Sequence, residues 1–156
     1  MNALLARAVV AFLVLPGTVA FVVPLVLLRP GRAASFDLLG LVPFCVGTAL
    51  LLWCVRDFYA AGKGTLAPWA PPQRLVTIGW YRFSRNPMYI AVALILWGWA
   101  LGFRSRALAI YALVVMVAFH VRVVVNEEPW LARTHGDEWA RYKAQVPRWI
   151  GPRSGK

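Results

Sequence analysis

Four apolar stretches of about bilayer length dominate this chain: residues 8–28, 38–55, 87–103 and 107–125. A helix needs roughly 20 apolar residues to cross the hydrocarbon core. Inside that core only helices and closed barrels satisfy their own backbone. The pattern therefore predicts an all-α polytopic membrane protein with about four transmembrane helices, in one domain over residues 1–156. Hydrophobic residues make up 60% of the chain and charged residues 15%, against roughly 45–50% and 25% in a soluble chain. Disorder is excluded, because disordered chains lack apolar residues. The missing alternation of short strands and helices argues against a soluble nucleotide-binding α/β sheet.

Charge points the same way. The chain carries 17 Lys+Arg against 6 Asp+Glu, a formal net charge of +11. Such a balance marks either nucleic-acid binding or a membrane protein with basic faces. The apolar content selects the second, with membrane lipids as partners and no nucleic acid. Cys45 and Cys54 lie nine residues apart in one apolar segment, about 13 Å along a helix, which is too far for a disulfide. Both read as small buried hydrophobes, and no Cys/His cluster has metal-ligand spacing.

The first span contains Pro16 and Pro24 and is expected to kink. A cleavable signal peptide with Arg7 as its basic end is the weaker reading, because the apolar run is too long. The second span has Asp37 at its entrance and Arg56-Asp57 at its exit. The third opens with Asn86, a good N-cap, and Pro87, suited to the first helical position. The fourth carries His120 and Arg122 near its end. Orientation follows the basic residues. With the N-terminus inside, Arg7, Arg56, Lys63, Arg74, Arg82, Arg85, Arg122, Arg133, Arg141, Lys143, Arg148, Arg153 and Lys156 fall on or near the inner face. Only Arg29, Arg32, Arg104 and Arg106 fall outside. Both termini are expected in the cytoplasm.

Five of the six acidic residues (Asp57, Glu127, Glu128, Asp137 and Glu138) lie in the two long inner segments, 57–86 and 126–156, where a polar substrate or soluble cofactor would be met. In the first segment Gly62, Gly64, Pro68, Pro71 and Pro72 forbid one long helix. Aromatic and basic residues alternate from Trp80 to Arg85, as suits headgroup level. In the second, Pro129 can start a helix, Gly136 interrupt it and Asp137–Val146 resume it, with Thr134 or Asp137 as cap. The tail is thus expected to form short amphipathic helices against the inner face.

Three features could carry chemistry. Arg85-Asn86-Pro87-Met88-Tyr89 is either a capped helix start or a site where free N–H groups hold an anion. Asn126-Glu127-Glu128-Pro129 is either an acidic helix cap or a functional carboxylate pair at a membrane boundary. His120 and Arg122 are either a satisfied histidine and a snorkelling arginine or part of a polar face shared by Arg122 and Asn126, four residues apart. Gly98-Trp-Ala-Leu-Gly102 suits close helix packing within the chain. Gly62-Lys-Gly64 is too short for a phosphate loop, and no Ser/His/Asp set suits a hydrolase.

The stretch Arg74-Leu-Val-Thr-Ile-Gly-Trp-Tyr-Arg-Phe-Ser-Arg-Asn-Pro-Met-Tyr89 resembles the central motif of the isoprenylcysteine carboxyl methyltransferase and phospholipid methyltransferase superfamily. Glu127-Glu-Pro-Trp-Leu131, His135-Gly136, Trp139, Tyr142 and Val146-Pro-Arg148 resemble its second motif. The resemblance covers about residues 60–150. It implies an integral membrane methyltransferase that uses S-adenosylmethionine, bound on the cytoplasmic side by the third and fourth spans, the loop before them and the tail. By position in the motif Tyr81, Asn86, Pro87, Met88 and Tyr89 would contact the cofactor, with Gln73, Arg74, Leu75 and Val76 as a further lining stretch. Glu127 matches the glutamate that holds the cofactor's amino group, and Arg85 is placed to meet its carboxylate. The substrate-side arginine of the eukaryotic enzymes falls on Val123, one residue or about 100° from Arg122. The compact form is similar to bacterial members, which places it in the inner membrane.

The implied acceptor is lipophilic: an isoprenylcysteine-like carboxylate, a phospholipid or a small thiol. Carboxylates and thiolates need no base, whereas an amine or hydroxyl would, with Glu128 and His120 as candidates. Two rivals stand beside this reading. One is an NADPH-dependent membrane reductase of the steroid-reductase type, the other a non-catalytic small membrane subunit.

Overall fold

A computed structural model describes residues 13–28, 36–62 and 74–151, and among these every element is helical. Helix α1 is π-helical over Leu13–Val22 and α-helical over Val23–Leu27. It is followed by α2 (Leu38–Gly62), a 3₁₀ turn (Gly79–Arg82), α3 (Pro87–Gly102) and α4 (Arg106–Arg122). A π-helical turn (Val123–Glu127) then leads without a loop into α5 (Glu128–Gln145).

Both wide turns end just before a proline, Pro24 or Pro129. Proline has no N–H to close the ordinary four-residue bond. The helix winds more widely ahead of it and continues. Pro129 stands in the first positions of α5, as expected, but no loop separates that helix from α4. Gly136 does interrupt α5, at φ +47° and ψ −119°. The second span also runs further than expected. Its helix continues through Arg56 and Asp57 as far as Gly62, because neither residue breaks a helix.

Helices α2 and α3 run antiparallel and touch through glycine. A Cβ placed on Gly40 would lie 2.3 Å from the Gly102 nitrogen and 2.4 Å from the Gly98 carbonyl oxygen. Gly98 packs on the backbone of Phe44, and Gly47 on that of Ala91 and Ile95. Gly98 and Gly102 thus serve packing within the chain. The shared core is Leu51, Ala91, Val92, Ile95, Leu96, Ala112 and Val115, joined by Ala20 of α1. Two polar side chains tie α1 to it: the Trp99 indole donates to the Ala20 carbonyl at 2.9 Å, and the Tyr111 hydroxyl to the Val19 carbonyl at 3.0 Å. At the start of α2 the Asp37 carboxylate accepts from the Leu39 N–H, capping α2, and from Arg104. Ser105 caps α4.

Outward faces remain apolar. Val42 on α2 is 67% exposed and Val117 on α4 is 64% exposed. Large exposed apolar faces mark contact with lipid or with another protein. Among the described residues, two helical stretches are long and apolar enough to cross a membrane: Leu38–Asp57, and the apolar start of Arg106–Gln145. Pro16–Leu27 and Pro87–Gly102 are shorter apolar helices. Cys54 is buried as expected, whereas Cys45 lies on an exposed face.

Candidate functional site

The start of α3 and the end of α4 meet through three side chains. The Tyr89 hydroxyl, in the first turn of α3, donates to Oε1 of Glu127. Arg122 Nε donates to the same oxygen at 2.8 Å. The π-helical turn explains this pairing. Its i→i+5 hydrogen bonding turns residue 127 back toward residue 122, so Arg122 bonds Glu127, while Asn126 is exposed. Phe119 supports the Tyr89 ring at a centroid distance of 4.4 Å. The result is a carboxylate held in place where α3 begins and α4 ends, about one third exposed and beside a half-exposed guanidinium.

Glu128 is in a different setting. Its Oε1 accepts from Arg85 and from Arg148 Nε, each at 2.7 Å, and its Oε2 accepts from Arg148 Nη2 at 2.8 Å. Arg85 is buried and its guanidinium lies 5.4 Å from the Trp139 ring centre. Burial opposes charge on Glu128, but the Arg148 hydrogen bond and the charges of Arg85 and Arg148 outweigh it and hold its carboxyl below the usual range. Burial draws Arg85 below its ordinary value against the pull of Glu128, and the Glu128 hydrogen bond raises Arg148. The folded carboxyl titrates below the unfolded one. Its stabilisation is therefore complete above the unfolded value and is lost as pH falls through the folded value. Unfolding followed across pH 7 to 3 should show a loss of stability at the acid end that Glu128→Gln lacks.

The same arginine closes the tail over the start of α3. The Arg148 carbonyl accepts from Asn86 Nδ2 at 3.0 Å and from Ser84 Oγ at 3.2 Å. The Pro147 carbonyl accepts from the Arg85 N–H at 2.9 Å. Asn86 is thus a correction. Its side chain makes no cap for α3; it is drawn to the tail, which offers a fixed carbonyl. Further along, Trp149 Nε1 donates to His120 Nδ1 at 3.3 Å, with the rings stacked. Residues 146–149 therefore span the two helix ends that carry Tyr89 and Glu127.

Beneath the 3₁₀ turn, Tyr81 packs with Cys54 and Val76 against Leu50 and Met88. Its carbonyl accepts from the Tyr142 hydroxyl at 2.7 Å. Leu75 joins the tail cluster of Trp139, Tyr142 and Val146. Pro87 is buried at the start of α3 and Arg74 is exposed. Gln73 lies outside the described residues. The fold thus gathers Tyr81, Met88, Tyr89 and Glu127 around the α3 start, with Arg122 alongside. It commits Arg85 and Glu128 to each other and to Arg148. Both base candidates are engaged: Glu128 by two arginines, and the His120 Nδ1 lone pair by Trp149.

Two residues had no assigned role in the sequence. Arg148 was legible only as the end of a motif. Asp57 falls in the inner segment by sequence, and its near-complete burial depends on contacts distant in the chain. A lone acid continuing an apolar helix was its one available signal.

The sequence profile of the phospholipid methyltransferase family matches residues 36–138, two thirds of the chain. The chain belongs to the phospholipid methyltransferase family. Membership implies methyl transfer in general, and the apolar helices suit a membrane protein. An uncharacterized protein of Haemophilus influenzae is 30% identical over 63 residues, which is 40% of this chain and all of that protein. No solved structure matches.

Proposed function

We propose that this chain is an integral membrane methyltransferase that takes its methyl group from S-adenosylmethionine and delivers it to a lipophilic acceptor. The observation that carries the reading is the carboxylate of Glu127, fixed by Tyr89 and Arg122 where α3 begins and α4 ends. Four spans cross the membrane in this reading, with α1 and α3 as the shorter two, and both termini face the cytoplasm of a bacterial cell.

The residues fit the donor's groups. Glu127 is the acceptor for its ammonium. The rings of Tyr89 and Tyr81 suit a sulfonium, a cation–π contact of roughly 0.5–2 kcal/mol. Asp57 retains a buried carboxylate oxygen with no hydrogen-bond partner among the described residues, a place for a further donor. When bound, the sulfonium supplies an activated methyl group for in-line displacement. The chain's part is alignment, which accounts for much of the rate in such reactions. Arg122, half exposed beside Glu127, faces the acceptor side and suits an anionic group on it. The clamp through Arg85, Glu128 and Arg148 holds the tail across the helix ends. With Glu128 and His120 both engaged, the arrangement favours an acceptor that is already nucleophilic, such as a thiolate or carboxylate. The acceptor enters sideways from the bilayer, the donor from the cytoplasm.

The test is transfer of a tritiated methyl group from S-adenosylmethionine by the purified protein in lipid nanodiscs, offered membrane lipid extract, prenylcysteines and small thiols. Label is expected in an organic-soluble or thioether product. Binding of NADPH with no binding of S-adenosylmethionine would overturn the assignment in favour of a reductase.

A further inference from the structure

Asp57 stands near the inner end of α2 and is only 5% exposed. Taking a carboxylate out of water costs several kcal/mol unless partners replace the water. Yet Oδ2 of Asp57 has no hydrogen-bond partner among the described residues. The neighbouring Arg56 lies instead over the Trp53 ring, 5.8 Å from its centre. Retention of such a group inside an apolar protein points to a ligand that completes it.

The surroundings are built around this carboxylate. Gly79, which opens the 3₁₀ turn, has φ +56°, and a Cβ there would lie 1.9 Å from Asp57 Oδ2. Glycine is thus required twice, for its left-handed backbone and for the space the carboxylate fills. Two residues later Tyr81 is buried beside Cys54 and Met88. Burial, then the charges of Cys54, Tyr142, Tyr89 and Asp57, push the Tyr81 phenol well above its usual value. Tyr81 packs with Met88, and the next residue, Tyr89, is bonded to Glu127. The contacts thus run from Asp57 to Gly79, along the turn to Tyr81, from Tyr81 to Met88 and its neighbour Tyr89, and on to Glu127, a row with a carboxylate at each end.

We propose that Asp57 accepts a hydrogen bond from the nucleoside half of the methyl donor, at the far end of this row from the ammonium that Glu127 takes. The inference rests on the donor assignment made above. A sulfonium has no N–H or O–H to give. Once the ammonium is matched to Glu127, the donor's remaining hydrogen-bond donors are the ribose hydroxyls and the adenine amino group. Either satisfies a buried carboxylate oxygen without bringing a second cation. Gly79 acts as a positioning residue, letting the turn close on Asp57.

The experiment is equilibrium dialysis of S-adenosylhomocysteine and its 2′-deoxy, 3′-deoxy and 6-deamino counterparts against the full chain in detergent. A hydrogen bond to a charged group corresponds to about 10–100-fold in affinity. The wild-type protein is expected to bind S-adenosylhomocysteine at least about 10-fold more tightly than one counterpart, and which one separates ribose from adenine recognition. Asp57→Asn is expected to lose most of that discrimination. Equal weakening of all four ligands by Asp57→Asn would make Asp57 a structural residue and overturn the proposal. Wild-type protein that binds all four alike overturns it too, even where the variant does not fold. No binding of S-adenosylhomocysteine or S-adenosylmethionine by wild-type protein overturns the methyltransferase reading itself.

Discussion

Glu128→Ala is expected to lower the stability of the folded protein by about 3–5 kcal/mol, the cost of removing one partner from a buried ion pair. Glu128 is the only acid shown bonding to either Arg85 or Arg148 among the described residues. Its loss leaves two guanidiniums together, with Arg85 buried against Trp139. The tail contacts to Ser84, Arg85 and Asn86 would loosen with it. Glu128→Gln should cost less, because the amide oxygen still accepts one bond. Replacing both members of the buried pair, Arg85→Met with Glu128→Leu, should recover part of the loss, since a well-packed apolar pair often equals a buried ion pair. Chemical unfolding in detergent reads all three variants. A loss below about 1 kcal/mol for Glu128→Ala would mean that the clamp behaves as a surface salt bridge.

Gly40→Ala is the second large effect. The added methyl would meet the backbone of Gly102 and Gly98 at 2.3–2.4 Å, and backbone cannot swing aside as a side chain can. Helices α2 and α3 would have to separate along the glycine contact, a strain of about 1–3 kcal/mol by the usual cost of overpacking. Gly136→Ala makes the contrast. A Cβ there meets nothing within 4 Å, so only the backbone, at φ +47° and ψ −119°, opposes it, a cost of about 1–3 kcal/mol. Thermal unfolding of both variants should show Gly40→Ala falling at least as far as Gly136→Ala, with weaker packing of Leu51 and Ile95 behind it.

The helical segments could be read in the sequence because apolar runs and their breakers act locally. Pro87 at the start of α3, the break at Gly136 and the close packing at Gly98 and Gly102 all follow from rules that need only neighbours in sequence. What sequence reasoning missed depends on distant partners or on a change of helical period. Asn86 looks like an N-cap until a carbonyl from residue 148 is available to it. The face shared by Arg122 and Asn126 follows from 3.6 residues per turn, and the widening before Pro129 brings Glu127 to Arg122. Glu128 looks like a base until two arginines, 43 and 20 residues away, close on it. The paired glutamates were thus visible as a unit, but their division of labour was not: one faces Tyr89 and Arg122, the other locks the tail.

Binding of S-adenosylhomocysteine to Glu127→Gln measures that division of labour. The variant removes the negative charge while keeping the side chain's size and its contacts with Tyr89 and Arg122. It should unfold within about 1 kcal/mol of wild type, because Glu127 is only partly buried. Its affinity should fall by about 10–100-fold, the share of a charge-assisted bond to an ammonium. Wild-type affinity in a variant of wild-type stability would contradict the claim that Glu127 holds the methyl donor.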